Sequence, residues 1–149
     1  MRELTVREAN KTQDDFNIII AMAKRHPYPE YDCLFPEWTE AFGRMFPTPG
    51  VRAWIAFDEE TPVGYVVGIR ERVFRNQITV FDIYLEPEYR GYNLIVLLIS
   101  ELRDWARADN AKRIQWTSKF NAEKWQRILD NALHGVKVNE YKTLSWEVI

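Results

Sequence analysis

The sequence predicts an α/β (α+β) fold, a mixed central sheet of about seven strands flanked by about four helices. Two observations carry this. Val51–Phe57, Val63–Ile69 and Ile78–Leu85 are apolar or alternating stretches separated by short polar turns, the pattern of three antiparallel strands. After the third, Leu94, Leu97, Leu98, Leu102 and Trp105 recur at helical spacing, and Ala111–Thr117 is strand-like again. A strand joined to the next through a helix implies a parallel crossover, so the sheet is mixed.

The remaining elements follow in order. Leu4-Thr5-Val6 reads as a short first strand. Thr12 and Asp15 resemble a capping box, and Phe16, Ile19, Ile20 and Ala23 form a helical stripe that His26-Pro27 ends. His26 is expected as a partner of the helix dipole. Residues 27–36 form a loop, and Pro36 falls in the first turn of a second helix with Trp38, Ala41, Phe42 and Met45 on one side. Pro47-Thr48-Pro49-Gly50 stops it, and Asp58–Pro62 turns between strands. Val63, Tyr65, Val67 and Ile69 are expected on one strand face, with Gly64 and Gly68 opposite, where another segment packs closely.

Past the central helix, Asn121 is placed to cap a helix running to about His134, with Trp125, Ile128, Leu129 and Ala132 as its stripe. Gly135 suits the position just beyond its end. Val136 and Val138, then Leu144, Trp146 and Val148, read as two last strands. Their exposed edges leave a homodimer open. No repeat or linker interrupts the chain, so one domain is expected over 1–149.

Composition narrows the function. An apolar content of 46% is that of a folded domain, and a net charge of −2 supplies no basic field for nucleic acid. The single cysteine, Cys33, forms no internal disulfide and fits a reducing, cytoplasmic setting. One Cys and two distant His give no metal-ligand spacing, so no metal is expected. Met1–Asn10 does not read as a signal peptide, and the longest apolar run, Leu94–Ile99, is too short to span a bilayer.

Two places bear chemistry. The first amides of the helix from Leu94 lack intrahelical partners and carry the positive end of its dipole, a candidate phosphate cradle. Asp82 interrupts a strand that is otherwise apolar on both faces. A carboxylate there costs several kcal/mol unless it is paired or faces a wet cleft. It is either a general base or a structural partner for a neighbouring Arg or backbone amide.

The stretch from Leu85 to Ile95 resembles the pyrophosphate-binding motif of the GNAT acyltransferase superfamily, which uses acetyl-coenzyme A. That motif is Arg/Gln-x-x-Gly-x-Gly/Ala, after a strand ending in an apolar residue, an acid and often Pro. Leu85, Glu86, Pro87 and Arg90 match, while Asn93 and Ile95 stand where Gly and Gly/Ala are usual. Asn is the next best residue for positive φ. Ile95 brings a branched chain to where the coenzyme passes closely. The order of elements resembles the family along the whole chain.

The resemblance implies that the central strand and the one after its helix splay apart to admit the pantetheine arm. It implies that Arg90, Gly91, Tyr92, Asn93, Leu94 and Ile95 hold the pyrophosphate, and that amides of Ile83 to Leu85 polarise the thioester carbonyl. It implies a loose assignment of Asp82 as base and contact of Asn121 with the coenzyme arm. Many relatives carry a Tyr seven residues after that Asn; here the position is Ile128. Tyr84, Tyr92, Tyr141 or water remain as proton donors to the thiolate, and Tyr84 is nearest in sequence to the gap. Lys124 and Arg127 are either phosphate contacts or solvated charges. By analogy the acceptor meets the loop between the first two helices. Its Tyr28, Glu30, Tyr31 and Asp32, with Glu37 and Trp38 beyond, suit a cation, hence a primary amine on a small molecule or protein. The alternative is a GNAT-fold protein without catalysis, serving as a binding or structural module.

Overall fold

Five strands in the order β1-β2-β3-β4-β5 form the sheet of a computed structural model, which describes residues 3–25, 34–90, 93–116, 122–130 and 137–139. The chain divides into two compact units, Met1–Trp116 and Thr117–Ile149. The first contains β1 (Leu4–Glu8), α1 (Gln13–Ala23), α2 (Phe35–Met45), β2 (Val51–Asp58), β3 (Thr61–Glu71), β4 (Gln77–Leu85), a 3-10 turn (Pro87–Tyr89), α3 (Leu94–Ala108) and β5 (Arg113–Gln115). The second contains α4 (Ala122–Asp130), in which Trp125 and Leu129 are buried and Gln126 Oε1 accepts the Val138 amide at 2.8 Å. Residues 137–139 carry no strand, and the rest of the two expected last strands lies outside the described residues.

Strands β1 to β4 run antiparallel, and β4 pairs with β5 in parallel, as the crossover through α3 requires. Apolar residues separate into two layers. One, with Ile19, Phe42, Ile55, Tyr65 and Val67, lies under α1 and α2. The other, with Trp54, Ile78, Leu94, Leu98 and Leu102, lies under α3. Each fully buried aliphatic or aromatic side chain contributes about 2 kcal/mol. Leu97, expected in the α3 stripe, is instead exposed; the buried arc turns through Ile99 and Ala106.

Helix ends follow local chemistry. Thr12 accepts the Asp15 amide at 3.3 Å, which starts α1. Asp15 does not complete a capping box. Its carboxylate takes the Asn10 amide at 2.7 Å and a bidentate pair from Arg7 at 2.8 Å. Pro36 lies in the first turn of α2, and Glu37 accepts the Leu34 amide at 3.2 Å.

Two bulges set which side chains share a face. Ala56 pairs with Gly64 and Phe57 with Pro62, leaving Val63 extra in β3. Val63 therefore joins the α3-side layer, while Tyr65 and Val67 join the other. This corrects the expected face of Val63 alone; Tyr65, Val67 and Ile69 share one face as expected. The second bulge lies in β4, where Val67 pairs with Asp82 and Gly68 with Val80, leaving Phe81 extra. The two glycines sit at close approaches. A Cβ on Gly64 would lie 2.6 Å from Leu85 Cδ2, and one on Gly68 3.0 Å from the Trp105 ring.

Candidate active site

The β4 bulge builds the site. Because Phe81 is extra, Phe81 and Asp82 both project toward α1 and α2, and Tyr84 follows on that face two residues later. Asp82 is 9% exposed. Its Oδ2 accepts the Trp38 indole N–H at 3.1 Å and the Tyr65 hydroxyl at 2.6 Å. Each donor comes from a different neighbour, Trp38 from α2 and Tyr65 from β3. Aromatic rings wall the carboxylate. Trp38 lies 5.5 Å from Phe81 and 6.1 Å from Tyr65, centre to centre. The sequence suggested an arginine or a backbone amide as the structural partner of Asp82. The indole and the phenol are donors without charge that stabilise a carboxylate in an apolar wall.

Tyr84 stands beside this group, its ring 5.8 Å from that of Tyr65. Its hydroxyl donates to Glu86 Oε2 at 3.1 Å. Burial, then that hydrogen bond, pushes the phenol above its ordinary value of 10.0. Glu86 Oε1 in turn accepts Arg25 Nε at 2.8 Å, which joins the end of α1 to the end of β4.

β4 continues past β5, which ends at Gln115. Pairing of β4 with β5 is confined to Gln77–Arg113, Ile78–Ile114 and Thr79–Gln115. Val80 to Leu85 form the stretch of that edge of β4 beyond the end of β5. Ile83 and Leu85 turn their side chains into the α3-side layer, so only their backbones line this edge. Just past it, Arg90 is exposed, its Nε donating to Leu85 O at 3.2 Å and its guanidinium 6.0 Å from the Tyr84 ring. Tyr89 anchors the turn by a hydrogen bond from its hydroxyl to Asp58.

The N-terminus of α3 follows. The Leu97 amide is the first to reach an intrahelical acceptor, Asn93 O at 3.2 Å, so those of Leu94, Ile95 and Val96 have none within the helix. Asn93 precedes the helix with φ −78°, so the positive φ expected at this position is not used. Leu94 is buried, and Ile95 is half-buried with its side chain packed against the α3-side layer. The branched chain is thus taken up by the core under α3.

A sequence model of the Acetyltransferase (GNAT) family matches residues 16–126. The chain belongs to this family. No curated protein matches the sequence. Among solved structures, AAC(6')-Iy bound to the bisubstrate analogue CoA-S-monomethyl-acetylneamine is similar in fold, with a TM-score of 0.71, 10% identity and 99% of each chain covered. A predicted acetyltransferase of Clostridium acetobutylicum with acetyl-CoA gives 0.69 at 15% identity, with 96% of each chain covered. A Trypanosoma brucei acetyltransferase gives 0.67 at 16%, covering 98% of this chain and 100% of that one.

For this GNAT protein the structure therefore brings Asp82, Tyr84, Ile83, Leu85, Arg90, Asn93, Leu94 and Ile95 to one strand, its turn and the following helix start. Gly91, Tyr92, Asn121 and the loop residues Tyr28, Glu30, Tyr31 and Asp32 lie outside the described residues. Sequence reasoning missed Tyr65 as a partner of Asp82, and Arg25 with Glu86 as partners of Tyr84. Tyr65 reads as one more alternating core residue, and only its register against β4 sets it apart.

Proposed function

We propose that residues 1–149 act as one cytosolic N-acetyltransferase domain that moves an acetyl group from acetyl-coenzyme A to a primary amine. The observation that carries this reading is the run of β4 beyond the end of β5 at Gln115, with Arg90 and the α3 amides just past it. The residues present fit a diphosphate. Amides without intrahelical acceptors at a helix start, beside an exposed guanidinium, suit its charge, and the Ile95 side chain has a place in the core.

In this reading Arg90 and the amides of residues 91–95 hold the pyrophosphate, and Asn121 meets the coenzyme arm. Backbone amides of β4, around Ile83 to Leu85, polarise the thioester carbonyl. Asp82 takes the proton of the attacking amine, whose ordinary pKa near ~10 keeps it protonated at neutral pH. The new N–C bond forms as the C–S bond breaks. Tyr84, kept protonated by burial and by Glu86, returns a proton to the leaving thiolate when its hydroxyl turns from that carboxylate. Tyr28, Glu30, Tyr31 and Asp32 receive the cationic acceptor. Solved relatives include an aminoglycoside acetyltransferase in complex with sisomicin, which supports a small-molecule amine as acceptor.

The test is titration with acetyl-coenzyme A by calorimetry and thermal shift, then an assay against paired cationic and neutral acceptors. Coenzyme at a hundred times its dissociation constant should add about 2.7 kcal/mol of stability. No shift at millimolar coenzyme would leave only a binding or structural module. Equal affinity for cationic and neutral analogues would remove the acidic loop from the acceptor site.

A further inference from the structure

We infer that Tyr65 is a positioning residue for Asp82, holding its carboxylate in one orientation from a place no substrate reaches. The inference rests on the proposed role of Asp82 as base. Tyr65 is fully buried at 0% exposure, so it touches neither coenzyme nor acceptor. Its hydroxyl nevertheless donates to Asp82 Oδ2 at 2.6 Å, at the short end for such a bond.

The bulge makes this contact possible. In regular pairing a residue and its neighbour alternate between faces. Here Phe81 is inserted, so Asp82 turns to the face where Tyr65 already points and pairs with Val67, two residues along β3. Bulges re-aim side chains, and this one presents a carboxylate to a phenol that core packing alone would not require. Trp38 Nε1 reaches the same oxygen from α2 at 3.1 Å, so donors from two elements converge on Oδ2. The rings of Phe81 and Tyr84 fill the space beside them. A base held this way keeps its approach to an attacking nitrogen, and a misplacement of about 1 Å can cost on the order of a hundredfold in rate.

The experiment is a double-mutant cycle with Tyr65→Phe and Asp82→Asn, read as kcat and KM with thermal melts alongside. Tyr65→Phe keeps the ring and removes only the donor. Its kcat should fall about tenfold or more, the size of one hydrogen bond to a charged group, with KM for acetyl-coenzyme A unchanged. In the Asp82→Asn background Tyr65→Phe should cost nothing further, because the group it orients is gone. Trp38→Phe supplies a second probe of the same oxygen and should show the same loss and the same non-additivity. Independent, multiplying losses would overturn the inference, as would an unchanged kcat in folded Tyr65→Phe while Asp82→Asn is impaired. Full turnover by Asp82→Asn itself would strike the base assignment first, and this inference with it.

Discussion

Arg25 at the end of α1 and Glu86 just past β4 are ion-paired, Nε to Oε1 at 2.8 Å, and the other Glu86 oxygen accepts the Tyr84 hydroxyl at 3.1 Å. One carboxylate thus closes the helix layer onto the end of the strand that carries the site. Arg25 is half-exposed, so the ion pair itself is worth at most about 1 kcal/mol. Glu86 also acts on Tyr84, a buried phenol whose rise it supports by hydrogen bond and charge.

Glu86→Gln should lower the Tyr84 phenol toward its ordinary 10.0, since the Glu86 hydrogen bond and charge are the next causes of its rise after burial. A raised phenol leaves its contribution intact below 10.0 and loses it as pH climbs through the raised folded value. The variant should lose less stability than the parent across that alkaline window. Phenolate absorbance and alkaline denaturation curves would check both, and an unmoved titration would remove Glu86 as a cause.

Gly64→Ala should destabilise the protein by about 1–3 kcal/mol. The added Cβ would sit 2.8 Å from Tyr84 O as well as 2.6 Å from Leu85 Cδ2. The carbonyl is backbone and cannot swing aside, so β4 must shift where it carries Tyr84 and Leu85. Turnover should fall further than the population of folded protein does. Denaturant melts beside steady-state rates measure this, and unchanged stability would contradict the packing.

Ile95→Ala should cost about 1–2 kcal/mol, less than a fully buried isoleucine because the side chain is half-buried. Its affinity for acetyl-coenzyme A should hold or rise, since the truncated chain packs into the core. Arg90→Ala should leave stability nearly unchanged and weaken the coenzyme severalfold. Calorimetry on the two variants separates these outcomes; weaker binding by Ile95→Ala alone would place that side chain in the coenzyme site.

Asp15 should contribute to the acid limb. The hydrogen bonds from Arg7, then that of the Asn10 amide, hold its carboxyl below the ordinary 3.8. Stability from a depressed carboxyl is present above 3.8 and is lost as pH falls through its folded value. Asp15→Asn should cost on the order of 1 kcal/mol at neutral pH, and the gap to the parent should close in acid. A gap that persists in acid would show that charge is not its source.

Legibility from sequence varied with the range of the interaction. Thr12, Pro36, and the Leu94, Leu98, Leu102 and Trp105 stripe act within a turn or one helix, and each stands where local spacing put it. The close approaches at Gly64 and Gly68 were also legible, because a missing side chain on a buried strand marks a crowded neighbour. Leu97 was misplaced because a helical stripe has soft edges, and which flank is covered depends on what packs there.

By itself the sequence determined the order of elements from β1 to α4, the mixed sheet with its crossover through α3, the family, and the oddity of a carboxylate at Asp82. Tertiary structure alone decided that Val63 and Phe81 are extra residues in their strands, and hence that Asp82 meets Tyr65 and Trp38. The reason is register. A bulge is a property of two paired strands, and shifting one of them by a single residue reverses every face without changing a letter of either.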